Sequence, residues 1–350
     1  MAVIGASGYA GGELVRLLAR HPGVELAAVA GSSRAGEPLA RVFPHLRGRV
    51  DLRLEEADSP AVWEGADFVF LALPSGAAAE LLPRVLPRAR EAGTRVIDLG
   101  GDLRLPRELY EPWYGRPAVD PAIQREAVYG LSELFADRIR TAWLVANPGC
   151  YPTAVLLALA PLARSGWLAG GQVVIDAKSG VSGAGRGASA ATAFGEVNEN
   201  FYPYKVGRHQ HTPEIEAVLE ELAGRPVTVC LTTHLLPVTR GILATIYVRP
   251  PAGWEDAAGA AALHELYREH YAGRPFVRVL DPGEVPAIKH VQGSNLCDIG
   301  LHYDERSGWI TVFAAIDNLV KGAAGQAVQN LNLMAGFDET AGLDLVPQFP

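Results

Sequence analysis

The sequence predicts an α/β chain: a doubly wound parallel sheet, then a second α+β domain whose sheet is largely antiparallel or mixed. Three observations predict it. Short apolar runs alternate with helical patterns through residues 1–149, the rhythm of βαβ units. A glycine-rich turn separates the first apolar run from the first helical pattern. Beyond residue 172, apolar runs follow one another without a helix between every pair. A length of 350 residues suits about two domains. The expected division is 1–149 and 150–317, with 318–350 packing back on the first domain.

Ala2-Val3-Ile4 is a short strand. Gly5-Ala6-Ser7-Gly8-Tyr9-Ala10-Gly11 follows, and Leu14, Leu17 and Leu18 then recur at helical spacing. The spacing G-x-x-G-x-x-G is a variant of the dinucleotide fingerprint of Rossmann-type sheets. Its glycines let the backbone approach a pyrophosphate, and the helix N-terminus receives the charge. Gly5, Ala6, Ser7, Gly8, Tyr9 and Ala10 are therefore candidate cofactor contacts. The next strand runs from Val24 to Ala30. A carboxylate at its end would bond the ribose hydroxyls of NAD, but the chain reads Gly31-Ser32-Ser33-Arg34. Hydroxyls and a guanidinium suit a 2′-phosphate, so NADP(H) is expected, with Ser32 and Arg34 in contact. Asp67 to Leu73 is a continuous apolar strand ending at Pro74-Ser75-Gly76. A helix from Ala77 to about Ala92 follows, then the buried strand Arg95 to Leu99 and the turn Gly100-Gly101-Asp102-Leu103-Arg104. Ligands of such sheets sit at the carboxyl ends of strands, which adds Leu73 and Pro74 to the cofactor candidates.

The strand Trp143 to Ala146 leads into Asn147-Pro148-Gly149-Cys150-Tyr151-Pro152-Thr153. From Ala154 to Leu162 the chain is apolar on nearly every side, the pattern of a buried helix. Cys150 thus stands where a strand hands over to a helix. Pro152 suits the first turn, where its missing N–H is not needed. A thiol at a helix N-terminus feels the positive end of the dipole, which favours thiolate. Free N–H groups there suit an oxyanion. A lone cysteine is more often structural. Pro-Gly before it and proline after it favour a nucleophile here.

In the second part, Val173 to Ala177 is a strand running into the glycine-rich stretch Lys178 to Gly187. Strands are expected near Val227–Leu236, Leu243–Arg249, Asn295–His302 and Trp309–Ile316, with helices at Ala257–Tyr271 and Asn318–Ala335. Cys150, Cys230 and Cys297 are too widely spaced for a disulfide framework or a C-x-x-C pair, and Cys230 reads as core. A net charge of −8 disfavours nucleic acid and anionic membranes as partners. No apolar run reaches the roughly 18–20 residues of a membrane helix. Residues 1–5 show no basic signal region. A soluble cytoplasmic protein is the expectation.

These stretches, together with Gly207-Arg208-His209-Gln210-His211-Thr212-Pro213-Glu214-Ile215 and Asp317 to Ala327, resemble N-acetyl-γ-glutamyl-phosphate reductases, siblings of aspartate-semialdehyde dehydrogenases. The likeness spans almost the whole chain. It departs where relatives tend to carry His at Ser75, Ser-Ala at Gly100-Gly101, Phe at Leu103 and Arg at Gln210. The resemblance implies NADPH-dependent reduction of an acyl phosphate to a semialdehyde in arginine biosynthesis. It implies Cys150 as nucleophile, forming a thioester, and His209 as acid–base, with His211 the alternative. Arg104, Asn147, Ser179, Arg186, His211 and Glu214 are the implied substrate contacts, and Arg104 and Arg186 suit phosphate or carboxylate. Ser182, Gly183 and Asn318 join the cofactor set. A homodimer or homotetramer is implied by analogy.

Three alternatives stay open at this point. His209-x-His211 has metal-pair spacing, but no third ligand lies nearby in sequence and thioester chemistry needs no metal, so none is expected. The same chemistry on a carrier-linked aminoadipyl phosphate of lysine biosynthesis is one functional rival. A non-catalytic NADP-binding sensor is the other.

Overall fold

The computed structural model describes residues 1–31, 34–168, 172–251, 254 and 259–349. The chain divides into two compact units: Met1–Gly149 with Ala323–Leu345, and Cys150–Gly322 with Val346–Pro350. Of the segment 318–350, residues 318–322 and 346–350 thus group with the second unit rather than the first.

The first unit holds β1 (Ala2–Ile4), β2 (Ala28–Ala30), β3 (Leu54–Glu55), β4 (Phe68–Leu71), β5 (Arg95–Asp98), β6 (Val128–Tyr129) and β7 (Leu144–Ala146). They form one parallel sheet in the order β3-β2-β1-β4-β5-β7-β6. Its helices are α1 (Tyr9–Leu18), α2 (Leu39–Val42), α3 (Pro60–Trp63), α4 (Ala77–Glu91), α5 (Arg107–Tyr114), α6 (Pro121–Glu126) and α7 (Ser132–Thr141). The chain order reverses between β1 and β4, and the glycine turn follows β1 at that switch point. The strands are apolar on both faces because helices cover both: Ile4, Val69, Leu71 and Val96 are fully buried with Leu82, Val85 and Ala89 of α4. β2 is shorter than the expected strand from Val24, since only Ala28–Ala30 pair with β1.

The second unit contains α8 (Cys150–Arg164), β8 (Val173–Gly180), α9 (Phe194–Val197), β9 (Tyr202–Tyr204), α10 (His211–Ala223) and β10 (Val229–Leu236). It continues with β11 (Ile242–Val248), α11 (Gly259–His270), β12 (Val277–Val279), β13 (Cys297–Asp304) and β14 (Trp309–Ile316). The sheet order is β12-β13-β14-β11-β8-β10-β9. It is mixed, with β8/β10 and β12/β13 parallel and the other pairs antiparallel. The last helix, α12 (Gly325–Ala335), belongs to the first unit. It starts later than the expected Asn318, after a π turn over Val320–Ala324. Asp317 accepts hydrogen bonds from the Leu319 and Val320 N–H groups there, as a helix cap would.

Cys230, expected in the core, is exposed. Val229, Leu231 and Leu235 of β10 are buried, and alternation turns Cys230 to the opposite face. An apolar run by itself does not say which face is packed.

α8 is buried from Tyr151 to Ala163 and packs on α10, β11 and β14. It carries Pro161, which has no N–H for the carbonyl of Leu157 four residues back. The hydroxyl of Tyr271 donates to that carbonyl instead, and Tyr267 donates to Ala158 O at 2.6 Å. Tyr271→Phe is therefore expected to cost about 1–3 kcal/mol, the penalty for a buried group left unpaired. Tyr267→Phe should cost less, because Leu162 offers Ala158 a regular helical donor. Urea-unfolding midpoints of the two variants check this order.

Candidate active site

Cys150 is the first residue of α8 and is half-buried. It opens on a cavity of about 350 Å³ within the second unit. The lining includes Tyr151, Ser179, Gly183, Tyr202, Tyr204, Lys205, His209, Gln210 and His211. The segment before α10 thus meets the N-terminus of α8, so Cys150, Ser179, Gly183, His209 and His211 line one cavity. Gly322 makes room: a Cβ there would lie 2.9 Å from that of Cys150.

The two histidines pack with their ring centroids 4.8 Å apart. The Tyr151 ring stands edge-on to both, at 5.3 Å from His209 and 6.0 Å from His211. Tyr204 donates to the Tyr151 hydroxyl at 3.0 Å, and its carbonyl accepts from Thr233 Oγ1 at 2.8 Å. Tyr151 donates in turn to His234 O at 3.3 Å. Burial pushes Tyr204 up to about 12 and Tyr151 well above the usual phenol range, so both stay protonated. Sequence reasoning passed over Tyr151, Tyr204 and Lys205. Their signal was adjacency, Tyr151 beside Cys150 and Tyr204-Lys205 four to five residues before His209.

The His211 N–H donates to His209 Nδ1 at 3.2 Å. Nδ1 therefore carries no proton, and the neutral ring holds its proton on Nε2. Burial, with the Lys205 charge as a second cause, pushes His209 down to about 3. His209 is only 4 % exposed, so solvent screens this little. The arrangement presents a neutral imidazole with a donor N–H.

Other expected contacts sit elsewhere. Glu214 is buried in the first turn of α10, and neither it nor Arg186, which is exposed, lines the cavity. Asn318 is buried. Its amide donates to Ser182 Oγ at 3.0 Å and its oxygen accepts the Gly241 N–H at 2.8 Å, which fixes the turn carrying Ser182 and Gly183.

In the first unit Asn147 is fully buried and bonded on four sides. Its N–H donates to Asp98 O at 2.8 Å, and its carbonyl accepts from Arg104 Nε at 2.8 Å. Its amide donates to Ala323 O at 3.2 Å and accepts from Asn330 at 3.0 Å. Arg104 also donates from Nη2 to Leu99 O at 2.8 Å. Both residues, expected at the substrate, brace the turn that leads into Cys150.

Of the cofactor candidates, Gly5 to Ala10 follow β1 at the switch point of the first sheet, with Leu73 and Pro74 just past the neighbouring β4. Gly5 has φ +81°, and a Cβ there would come within 2.2 Å of Ala72 O, so the turn presses on the end of β4 beside Leu73 and Pro74. Ala6 N–H donates to Ala30 O, and a Cβ on Gly31 would lie 3.1 Å from Ser7 Oγ. The segment after β2 therefore starts against the glycine turn. No side chain caps α1 at Gly8, so Tyr9 and Ala10 present backbone N–H groups suited to a phosphate. Arg34 is exposed and meets Glu37 at 3.5 Å, while Ser32 lies outside the described residues.

Comparison with known proteins agrees with this layout. A model described as the semialdehyde dehydrogenase NAD-binding domain matches residues 1–142, and one described as the semialdehyde dehydrogenase dimerisation domain matches 150–318. A protein of Symbiobacterium thermophilum named N-acetyl-gamma-glutamyl-phosphate reductase is 54 % identical over 97 % of this chain and 96 % of its own. One of the same name from Desulforudis audaxviator is 51 % identical over 99 % of each chain. The chain belongs to the N-acetyl-γ-glutamyl-phosphate reductase family. Among solved structures, aspartate semialdehyde dehydrogenase II of Vibrio cholerae shares the fold with a TM-score of 0.71 at 19 % identity, covering 96 % of this chain and 97 % of that one.

Two of the positions expected to differ from relatives have defined local contacts. A Cβ on Gly101 would lie 2.5 Å from the Tyr114 hydroxyl, and Tyr114 stacks on Tyr110 at 4.2 Å. Tyr110 in turn donates to Asp102 at 2.6 Å, so the glycine admits the tyrosine pair. Gln210 accepts from Lys205 Nζ at 2.8 Å.

His209 binds a proton far less readily in the folded chain than its ordinary 6.5. It therefore stabilises the fold fully above pH 6.5, and that contribution is lost as pH falls from 6.5 toward 3. His209→Gln should flatten the decline of stability over this window, as read from unfolding midpoints at pH 7 and pH 4.5.

Proposed function

We propose that the chain reduces N-acetyl-γ-glutamyl phosphate to N-acetylglutamate semialdehyde with release of phosphate, using NADPH, in arginine biosynthesis. One observation carries the reading: Cys150, at the N-terminus of a buried helix, shares a cavity with His209 and His211. Cys150 Sγ attacks the acyl carbon, the carbon–oxygen bond to phosphate breaks, and phosphate leaves from a thioester. When bound, the nicotinamide supplies the hydride that takes the thioester to the aldehyde level. The negative charge then resides on the former carbonyl oxygen. His209 Nε2–H donates a hydrogen bond to it, and so do the N–H groups that open α8. Collapse restores the carbonyl, breaks the carbon–sulfur bond and returns the thiolate. A neutral imidazole suits this role, because it stabilises the oxyanion without surrendering its proton.

The glycine turn, the uncapped start of α1 and Leu73-Pro74 are the residues that would hold the cofactor's pyrophosphate side. Arg34 is read as the 2′-phosphate contact. The second sheet supports a homodimer. α8 and α10 cover one face, and Asp176, Lys178, Cys230, Thr232 and Tyr247 stand on the other, less buried one. A family description naming this segment a dimerisation domain agrees. Among the described residues, no helix is long and apolar enough to cross a membrane. A cytoplasmic location belongs to the same reading.

Phosphate-dependent oxidation of N-acetylglutamate semialdehyde with NADP tests the proposal, run beside the carrier-linked aminoadipyl counterpart. Cys150→Ser should fold and bind NADP but retain less than about a tenth of the rate, because a hydroxyl stays protonated and leaves poorly. Activity near wild type would end the covalent reading. Arg34→Ala should weaken NADPH by about 1–3 kcal/mol, the scale of a hydrogen bond to a charged group, and leave NADH nearly unchanged. Equal losses for the two cofactors would make Arg34 structural.

A further inference from the structure

An acyl phosphate brings at least one oxyanion into the Cys150 cavity, and a buried anion needs a partner. The residues lining that cavity include no arginine, no aspartate and no glutamate, and a single lysine, Lys205. Arg186, which the sequence offered for this task, lies outside the lining.

The backbone at Lys205 has φ +48°, in the left-handed region that L-residues enter only at a cost. Among the described residues Glu199 is the one other non-glycine with positive φ. Such strain persists where neighbouring contacts over-determine it, and it clusters at functional sites. The contacts are present here. Tyr204 O, just before, accepts from Thr233, and Lys205 O accepts from the Arg208 N–H at 2.9 Å. The turn follows β9 and sets the lysine in the lining of the cavity.

Its ammonium donates to Gln210 Oε1 at 2.8 Å, a neutral acceptor that orients the charge without cancelling it. Partial burial already lowers its pKa, so some of its hydration is gone before any ligand arrives. An ammonium on a flexible stem, with further N–H donors beyond the one given to Gln210, suits an oxyanion as a point charge.

We propose that Lys205 is the residue that holds a substrate oxyanion, phosphate or carboxylate, in the Cys150 cavity, with Gln210 orienting its ammonium. The inference rests on the function proposed above.

The oxidation direction separates the two anions, because the semialdehyde carries only the carboxylate and phosphate enters on its own. Lys205→Asn removes the charge and tolerates the left-handed backbone, so it guards against misfolding. It should raise one KM by roughly 10- to 100-fold, the scale of one charge-assisted hydrogen bond, with kcat within about threefold. A rise for phosphate places the phosphate on Lys205, and a rise for the semialdehyde places the carboxylate there. Lys205→Arg should recover most of the affinity. If neither KM moves more than about twofold in Lys205→Asn, the assignment is wrong. Alkylation of Cys150 by iodoacetamide reads the same contact without turnover. Inorganic phosphate or N-acetylglutamate should slow it in the wild type and lose that effect in Lys205→Asn. A wild type that fails to turn over the semialdehyde yet shows Lys205-dependent protection would overturn the proposed reaction and leave the anion contact standing. Equal protection in both proteins would overturn the contact.

Discussion

A helix that is apolar on every side is stable only when surrounded, and α8 is surrounded from Tyr151 to Ala163. Its position in the second unit is settled by burial against α10, β11 and β14. The first residue of such a helix is therefore fixed by the packing of the rest. Cys150 inherits that fixity and gains the helix-end field without a charged neighbour being needed to create it. The cost appears inside the helix, where Pro161 strips a donor from a buried carbonyl and a tyrosine from beyond α11 must stand in. Reactive and structural demands meet in one element.

The side chains that hold the turn preceding α8 are mostly amides, with the Arg104 guanidinium on its backbone carbonyl. Asn147 is bonded through every polar atom it has, and Asn330 ties it to Gly130 O and to Ser132. Gln326 closes the same network by donating to Gly130 O and Ser132 Oγ. Neutral groups with complementary donors and acceptors can be buried at modest cost, whereas a buried ion must first recover its desolvation. A fully satisfied network of this kind admits one arrangement. It suits a turn whose task is to deliver a side chain to one place.

Much of this was legible in the sequence. The parallel sheet followed from apolar runs bounded by glycine turns, because strands covered on both faces have little freedom in composition. Cys150 was legible because Pro-Gly before it and proline after it mark a strand-to-helix junction. Sequence patterns failed where a face had to be chosen. Cys230 lies in an apolar run yet faces out, since the mixed sheet packs helices on one side. They are silent where a polar residue has two possible uses. Asn147 and Arg104 carry the chemistry of substrate contacts, and only three-dimensional distances show Asn147 bonded to Asn330 and Ala323 O, and Arg104 donating to Asn147 O and Leu99 O. Lys205 was hidden because φ has no signature in a lysine, and its distance to the cavity is not a spacing in the chain.

The bond between Asn147 and Asn330 joins residues 183 positions apart. Its partner helix α12 is made long after the turn it braces. The turn before Cys150 can be locked only once α12 has been made, and closing so long a loop is slow compared with local helix formation. A nascent chain would thus carry its thiol on a turn not yet braced. The order of assembly itself keeps the reactive geometry from existing before the rest of the molecule does.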